Sequence, residues 1–166
     1  ICQTMAYAHE RGVIHRDLKP ANVMVGSYGE VLVLDWGMGK VLTQGAAVKA
    51  RAERKPAQPE VSFVKTPRPE GSGPRSETGT VLGTLRYMPP EQASGDVERV
   101  DERSDVFALG AVLCEILSGE PPYRGEGMKL LLAAAQGALE DALQRIDRCS
   151  ADPELKALAR TCLSAD

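Results

Sequence analysis

HRDLKPAN at residues 15–22 and DWG at residues 35–37 are the most informative parts of this chain. Between them lie two short apolar runs, VMV and VLVL, joined by the turn-forming sequence GSYGE. This pattern predicts a small β-hairpin over residues 23–34, because the runs are largely β-branched and the joining residues favour a turn. Since a hairpin reverses the direction of the chain, we expect it to fold Asp35 back towards Asn22.

The polar side chains of these two motifs suit phosphoryl transfer. That reaction needs metal ions to neutralise the phosphates, a carboxylate near the incoming hydroxyl and a cation near the transferred group. Asp17 offers the carboxylate and Lys19 offers the cation. The Asp35 carboxylate and the Asn22 carbonyl are hard oxygen ligands of the kind that Mg²⁺ prefers. The motifs therefore contain every side-chain type that the reaction requires.

HRDLKPAN resembles the catalytic loop of eukaryotic-like protein kinases, and DWG resembles their DFG motif with Trp in place of Phe. GTLRYMPPEQ, residues 83–92, is similar to their substrate-docking and A-P-E segment, with Pro89 where Ala is usual. SDVFALG, residues 104–110, is similar to the start of the long central helix of the kinase C-lobe. The sequence of the hairpin most resembles that of bacterial members of the family. The resemblance covers nearly the whole chain and implies a serine/threonine-protein kinase that uses ATP and Mg²⁺.

Carried over residue by residue, the resemblance implies roles for five side chains. Asp17 would accept or orient the proton of the substrate hydroxyl, and Lys19 would steady the transferred phosphoryl group. Asn22 and Asp35 would hold the metal and, with Lys19, bind the nucleotide. Lys19 beside Asp17, together with Thr84, is similar to the serine/threonine-specific pattern. Asp17, Lys19 and Thr84 are therefore the predicted catalytic residues.

The resemblance also implies supporting roles. His15 is expected to be a packed residue beneath the DWG turn, not a catalytic base. Asp105 is expected to hydrogen-bond the backbone of the catalytic loop; the alternative is a plain negative charge at a helix N-terminus. Glu91 would ordinarily pair with an Arg beyond Leu163, so we expect that arginine partner to be absent from this chain.

A Pro-rich stretch over residues 44–79 predicts a flexible insertion in the activation segment. Its excess of basic over acidic residues has almost no aromatic interleaving, which favours a solvated loop over a nucleic-acid site. Arg16 resembles the arginine of kinases whose activation segment is ordered by a phosphate. The candidate acceptors of that phosphate are Ser76, Thr78 and Thr80.

The predicted fold is α+β and mainly α-helical, a protein-kinase-like C-lobe with a small β-hairpin between the catalytic loop and the DWG motif. Helical patterns cover residues 1–11, 104–118, 128–138 and 153–163. The helix over residues 104–118 is apolar nearly all round, so we expect it to be buried along the axis of the domain. Asp152 is the predicted N-cap of the last helix.

Composition narrows the function classes. With 166 residues and 43% hydrophobic content, the chain is long enough for one compact domain. Its net charge of −3 favours neither nucleic acid nor an anionic membrane. Its 4 cysteines are widely spaced and are predicted to be buried, reduced thiols. No apolar run approaches the ~20 residues that cross a bilayer, so we expect no membrane segment and a cytoplasmic location.

The sequence carries no G-x-G-x-x-G motif, and we expect no strand before His15. We therefore expect residues 1–166 to be a partial kinase domain, the C-lobe, whose partners are the missing N-lobe and a protein substrate. Alone it should have little or no activity. Two alternatives remain: a pseudokinase or scaffold, and a small-molecule phosphotransferase of the aminoglycoside or choline kinase type. The small-molecule phosphotransferases share the H-x-D-x-x-x-x-N pattern. Lys19 and the segment over residues 83–92 distinguish this chain from them, because their sequences resemble it poorly there.

Overall fold

The computed structural model describes residues 1–42 and 83–164. Its helices are α1 (Cys2–Glu10), α2 (Pro90–Ala93), α3 (Glu102–Ser118), α4 (Gly127–Ala135), α5 (Glu140–Arg148) and α6 (Pro153–Cys162), with a further helical turn at residues 83–85. Its strands are β1 (Val13–Ile14), β2 (Val23–Val25), β3 (Val31–Val33) and β4 (Lys40–Val41), and 3₁₀ turns lie at Pro20–Asn22 and Trp36–Met38. The predicted insertion at residues 44–79 lies outside the described residues.

Two small antiparallel sheets hold the two motifs. Strands β2 and β3 pair with Val23 opposite Val33, which confirms the predicted hairpin. Strands β1 and β4 pair with Ile14 opposite Lys40, so the chain leaving the DWG turn returns to the chain entering the catalytic loop. The expectation of no strand before His15 is therefore wrong, because the two residues of β1 become a strand only by pairing with the distant β4. The motif residues therefore lie between two short pairings and not at the end of a loose loop.

Helix α3 forms much of the core, but not in the way that its composition predicts. Phe107, Ala111 and Cys114 are buried and pack with residues of α4, α5 and α6. Val106 and Ile116, however, are 39% and 72% exposed. The prediction that α3 is buried all round is therefore wrong on one side, because that side lines an apolar groove of about 440 Å³ between α1, α3 and α6.

Local sequence signals set the ends of α3. Asp101 precedes the helix, and its side chain accepts a hydrogen bond from the Arg103 amide at 2.8 Å, as an N-cap does. The helix ends at Gly119, whose φ of 80° is left-handed and therefore favours glycine.

The C-terminal helices agree with the sequence in part. Asp152 caps α6 through a 2.8 Å hydrogen bond from the Glu154 amide, as predicted. Helix α5 was not predicted, although its signals are present: acidic residues in its first turn, basic residues in its last turn, and Ala142 and Ile146 buried four positions apart. Its polar composition hid the short buried stripe.

The cysteine prediction is partly wrong. All four cysteines are free thiols, but only Cys114 is buried, while Cys149 and Cys162 are half-buried and Cys2 is exposed. Burial raises the pKa of the Cys114 thiol. Among the residues that the structure describes, no helix is long and apolar enough to span a bilayer.

The contact between α3 and α6 is close enough to require glycine at position 110. A Cβ atom on Gly110 would lie 2.6 Å from the Cβ of Cys162. Inside a helix, alanine is ordinarily favoured over glycine by about 1 kcal/mol. We expect Gly110→Ala to reverse that sign and to lower the free energy of unfolding by roughly 1–3 kcal/mol, because the helices must separate. Urea unfolding would measure it, and an increase in stability would contradict the packing described here.

Candidate active site

A buried carboxylate shapes the start of the catalytic loop. Asp105, in the first turn of α3, is fully buried, and its two oxygens accept hydrogen bonds from the backbone amides of His15 and Arg16, each at 2.8 Å. This confirms the role expected of Asp105 over the plain helix-terminal charge. Arg16 is thereby held at φ 67°, a left-handed conformation that is uncommon for a non-glycine residue.

A third group contacts the same carboxylate. His9, at the end of α1, lies with its Nε2 2.8 Å from Oδ2 of Asp105. Sequence reasoning missed His9, because the 96 positions that separate the two residues leave no pattern to detect. Three segments of the chain therefore meet at one buried side chain.

His15 lies beneath the DWG turn, as expected. It is fully buried, its ring meets the edge of the Trp36 ring at 4.7 Å between centroids, and its Nε2 lies 2.9 Å from the Leu34 carbonyl. The Asp17 amide donates to Nδ1 at 3.2 Å. Since Nδ1 accepts, the ring proton lies on Nε2 and is donated to Leu34. Both ring nitrogens thus serve the loop's architecture.

The structure brings four of the predicted site residues into one hydrogen-bonded cluster. Lys19 Nζ donates to Oδ2 of Asp17 and to Oγ1 of Thr84, each at 2.8 Å. The Thr84 hydroxyl donates to Oδ1 of Asp17 at 3.0 Å. The Asn22 amide nitrogen donates to the Asp17 carbonyl at 2.7 Å and to its Oδ2 at 3.0 Å. Three side chains therefore orient the Asp17 carboxylate, which remains 8% exposed.

Asp35 lies beside this cluster without joining it. The backbone amide of Leu34 donates to the backbone carbonyl of Asn22 at 2.8 Å, so the hairpin does fold Asp35 back towards Asn22. Asp35 has φ 59°, its side chain is exposed, and no hydrogen bond links it to the cluster within the described ranges. A Cβ on Gly37 would lie 3.2 Å from Oδ1 of Asp35, so glycine at that position leaves room for the carboxylate.

A metal at this site would need ligands beyond the protein. Within residues 1–42 and 83–164, no three His, Cys, Asp or Glu side chains lie close enough to hold an ion by themselves. Mg²⁺ is commonly held by one or two protein oxygens together with phosphate and water. The donor chemistry of Asn22 and Asp35 fits that mode of binding and does not fit an all-protein cage.

Glu91 has a hydrogen-bond partner that the sequence did not predict. Its Oε1 accepts a hydrogen bond from the Ser104 hydroxyl. Arg16 donates from Nε to the Met38 carbonyl at 2.7 Å. The candidate phosphate acceptors Ser76, Thr78 and Thr80 lie outside the described residues, so the phosphate-binding role of Arg16 stays a prediction.

Sequence reasoning also missed a contact between Tyr87 and Glu115. Its hydroxyl donates to Oε2 of Glu115 in α3 at 2.7 Å. Burial, together with this hydrogen bond, raises the pKa of Tyr87 above its ordinary value, so the hydroxyl keeps its proton and remains a donor. The contact holds the docking segment against α3.

Comparison with known proteins identifies the protein family of this chain. The model of the family described as "Protein kinase domain" matches residues 1–166, and the chain belongs to that family. It is 36% identical over 165 residues to the serine/threonine-protein kinase PknB of Mycobacterium leprae, covering 96% of this chain and 22% of that protein. It is 38% identical over 124 residues to the serine/threonine-protein kinase PknD of Protochlamydia amoebophila, covering 75% of this chain and 11% of that protein.

A third relative, PknB of Mycolicibacterium smegmatis, is 36% identical over 165 residues, covering 98% of this chain and 21% of that protein. The chain therefore spans about a fifth of the length of the PknB relatives and less of the PknD relative. All three relatives are named as serine/threonine-protein kinases.

The buried carboxylate of Asp105 yields a test with a matched control. In Asp105→Asn the amide keeps only one acceptor oxygen, so its NH₂ group meets a backbone N–H. We expect the free energy of unfolding to fall by roughly 2–4 kcal/mol, because a buried amide loses its partner. Asp101→Asn, at the N-cap of the same helix, should change it by less than about 0.5 kcal/mol, since Asn is an equally good N-cap. Urea unfolding compares the two, and equal losses would show that Asp105 has no special role.

Proposed function

We propose that this chain is the C-lobe of a serine/threonine-protein kinase and supplies the residues that transfer the γ-phosphate of ATP to Ser or Thr hydroxyls of proteins. The observation that carries the proposal is the cluster of Asp17, Lys19 and Thr84. Thr84 reaches Asp17 from 67 positions away along the chain, across the predicted insertion. The docking segment and the catalytic loop are therefore joined at the very atoms that the chemistry would use.

The proposed role of Asp17 follows from how its carboxylate is held. Hydrogen bonds from Lys19, Asn22 and Thr84 orient both oxygens, and the side chain of Asp17 keeps a small exposed fraction of 9%. A substrate hydroxyl placed there would donate its hydrogen bond to Asp17, which aligns the hydroxyl oxygen for attack. Asp17 would then receive the proton as the hydroxyl oxygen bonds to the γ-phosphorus and the bond from that phosphorus to the bridging oxygen breaks, which releases ADP.

Lys19 contributes a positive charge at the same place. Its ammonium lies between Asp17 and Thr84 and is 12% exposed, so it is fixed and partly shielded from water. A fixed cation of this kind stabilises negative charge on a phosphoryl group more strongly than a mobile one does. We therefore assign to Lys19 the electrostatic part of the transfer.

Asn22 and Asp35 are the proposed ligands of the nucleotide-bound metal. Both hydrogen bonds from the Asn22 amide nitrogen go to Asp17, which leaves the amide oxygen as the atom for a metal. Mg²⁺ bound with ATP supplies charge neutralisation at the phosphates. Asn22 would then position Asp17 and the metal with the two ends of a single amide.

The N-lobe of a kinase domain is the proposed structural partner. Among the described residues, Leu34, Trp36 and Met38 around the DWG turn are 38%, 36% and 51% exposed. Exposed apolar side chains beside a nucleotide site suit coverage by a second lobe. Because the sequence lacks a Gly-rich loop, we propose that the chain alone has little activity. We also propose that the complete kinase domain acts in the cytoplasm.

The cluster also bears on the two alternatives. A scaffold that does not transfer phosphate has no need of a carboxylate, an ammonium and a hydroxyl in mutual contact. A small-molecule phosphotransferase has no need of a docking segment that places Thr84 on that cluster. Both alternatives are therefore less well supported than a protein kinase.

Substitution of the two carboxylates tests the assignment in a protein that joins this chain to the N-lobe. We expect Asp17→Asn to lower kcat for a Ser/Thr peptide by about 10²–10⁴-fold, as loss of acid–base assistance does. Asp35→Asn should abolish Mg²⁺-dependent transfer at every Mg²⁺ concentration tried. Asp152→Asn, at an exposed helix cap, is the control and should behave as wild type. Robust transfer by either site variant would refute its assigned role.

Thr84 gives a second test, of acceptor class and site geometry together. Thr84→Ser keeps the hydroxyl and should retain most activity. Thr84→Val keeps the shape but removes the hydrogen bonds to Asp17 and Lys19, so we expect kcat to fall by about tenfold or more. Peptides that differ only in Ser, Thr or Tyr at the acceptor position would be compared by phosphate incorporation. Preference for Tyr, or equal activity of the two variants, would contradict the proposal.

A further inference from the structure

Gln92, in α2, makes a contact with the catalytic loop that neither the motifs nor the proposed chemistry explains. Its side-chain Nε2 donates to the backbone carbonyl of Arg16 at 2.8 Å, across 76 positions of sequence. Arg16 immediately precedes Asp17. The acceptor therefore belongs to the peptide group that joins Arg16 to Asp17.

That peptide group is held at both of its polar atoms. Its carbonyl accepts from Gln92, and its amide, that of Asp17, donates to Nδ1 of His15 at 3.2 Å. The preceding amide, that of Arg16, donates to Asp105. Rotation of the Arg16–Asp17 peptide plane would break both of these bonds, to Gln92 and to His15. Any change in φ of Asp17 that ψ of Arg16 does not compensate would also redirect the Asp17 side chain.

Such support is needed because the backbone at Arg16 is strained. A non-glycine residue at φ 67° is energetically unfavourable and persists only where its surroundings determine it. Asp105 accepts from the backbone amide of Arg16, and Gln92 donates to the backbone carbonyl of Arg16, so the two peptide groups that flank its Cα are each held. The two supports come from different elements, α3 and α2.

Helix α2 is itself fixed on α3 by its neighbouring residue. Glu91 accepts from the hydroxyl of Ser104, and Ser104 directly precedes Asp105. Two adjacent residues of α2 and two adjacent residues of α3 thus form a frame around the start of the catalytic loop. The docking segment, residues 83–92, contacts the catalytic loop from each of the segment's two ends, through Thr84 at the first and Gln92 at the second.

The other end of the Gln92 amide indicates that the donor is what the site uses. Oε1 of Gln92 is buried and has no hydrogen-bond partner within the described part of the chain. Gln92 also lines, with Asp17 and Thr84, a cavity of about 10 Å³, close to the smallest volume that holds one water molecule. A buried acceptor without a partner destabilises a fold, so simple packing favours an apolar side chain here. The amide is accounted for by its donated bond.

We propose that Gln92 is a positioning residue of the kinase, which holds the Arg16–Asp17 peptide in the conformation that orients Asp17. This inference rests on the proposed function for its catalytic consequence, but the hydrogen bond itself does not. Gln92 acts through Asp17 and makes no contact with substrate or nucleotide. It would make the orientation of Asp17 depend on the placement of the docking segment.

The first experiment replaces the donor with an apolar group of similar size, in the protein that includes the N-lobe. We expect Gln92→Met to lower kcat by about 10- to 100-fold, as a small misplacement of a reacting group does, while KM for ATP changes less than about twofold. Backbone hydrogen exchange over residues 13–22 should become faster. Gln144→Met, the same change on the exposed face of α5, is the matched control and should alter neither quantity.

The second experiment separates hydrogen bonding from packing. In Gln92→Glu the introduced carboxyl group can donate to the Arg16 carbonyl only while it is protonated. We therefore expect the ratio of variant to wild-type kcat to rise as the pH falls through the pKa of that group and to fall as the pH rises. Gln144→Glu should show a ratio that does not change with pH.

Should Gln92→Met fail to fold, Gln92→Asn takes its place in the first experiment. It keeps an amide but shortens its reach, so we expect the same loss of kcat.

The outcomes distinguish this inference from the proposed function. If wild type transfers phosphate and Gln92→Met matches it in kcat and in hydrogen exchange, the inference is overturned while the proposed function stands. A pH-independent ratio for Gln92→Glu also overturns it. If wild type joined to the N-lobe transfers no phosphate, the proposed function fails. Hydrogen exchange over residues 13–22 then decides the inference: unchanged exchange overturns it, and faster exchange supports the positioning contact.

Discussion

The structure depends on one buried carboxylate. Asp105 has no exposed surface, and taking such a charge out of water costs several kcal/mol unless it is fully hydrogen-bonded. It is satisfied by the amides of His15 and Arg16 and by the ring of His9. Because these partners belong to α1 and to the catalytic loop, satisfying Asp105 requires both to pack on α3. The conformation of the loop is thus a condition for burying the helix.

The candidate site is built outward from that contact. The left-handed turn at Arg16 directs the chain so that Asp17 meets Lys19 and Asn22 within a few residues. The docking segment then closes the cluster from the other side of the insertion, through Thr84. Each added contact is a hydrogen bond to a charged or strained group, so the loss of one partner leaves another group unsatisfied. The cluster, the strained turn and α2 should therefore respond together to a mutation in any of them.

How far sequence reasoning reached depended on how local each signal was. The hairpin and the cap at Asp152 were predicted correctly because turn residues and N-caps act over a few positions. Helix α5 was missed because its buried stripe is short and its surface highly charged. Burial of Ile116 was predicted wrongly, since an apolar residue on a helix does not reveal which faces find a partner.

Alone, the sequence determined the chemistry on offer: a carboxylate, an ammonium, an amide and a second carboxylate at spacings that a hairpin brings together. It did so because side-chain types and short-range turns are written in adjacent residues. Only the tertiary structure decided which distant groups complete the site. Gln92 reaches Arg16 of the catalytic loop across 76 positions, and His9 reaches Asp105, which supports that loop, across 96. Thr84 was implied by the family resemblance, but its contact with Asp17 across 67 positions was seen only in the structure. Such contacts arise from burying the α3 face and satisfying Asp105, and these are properties of the folded chain as a whole.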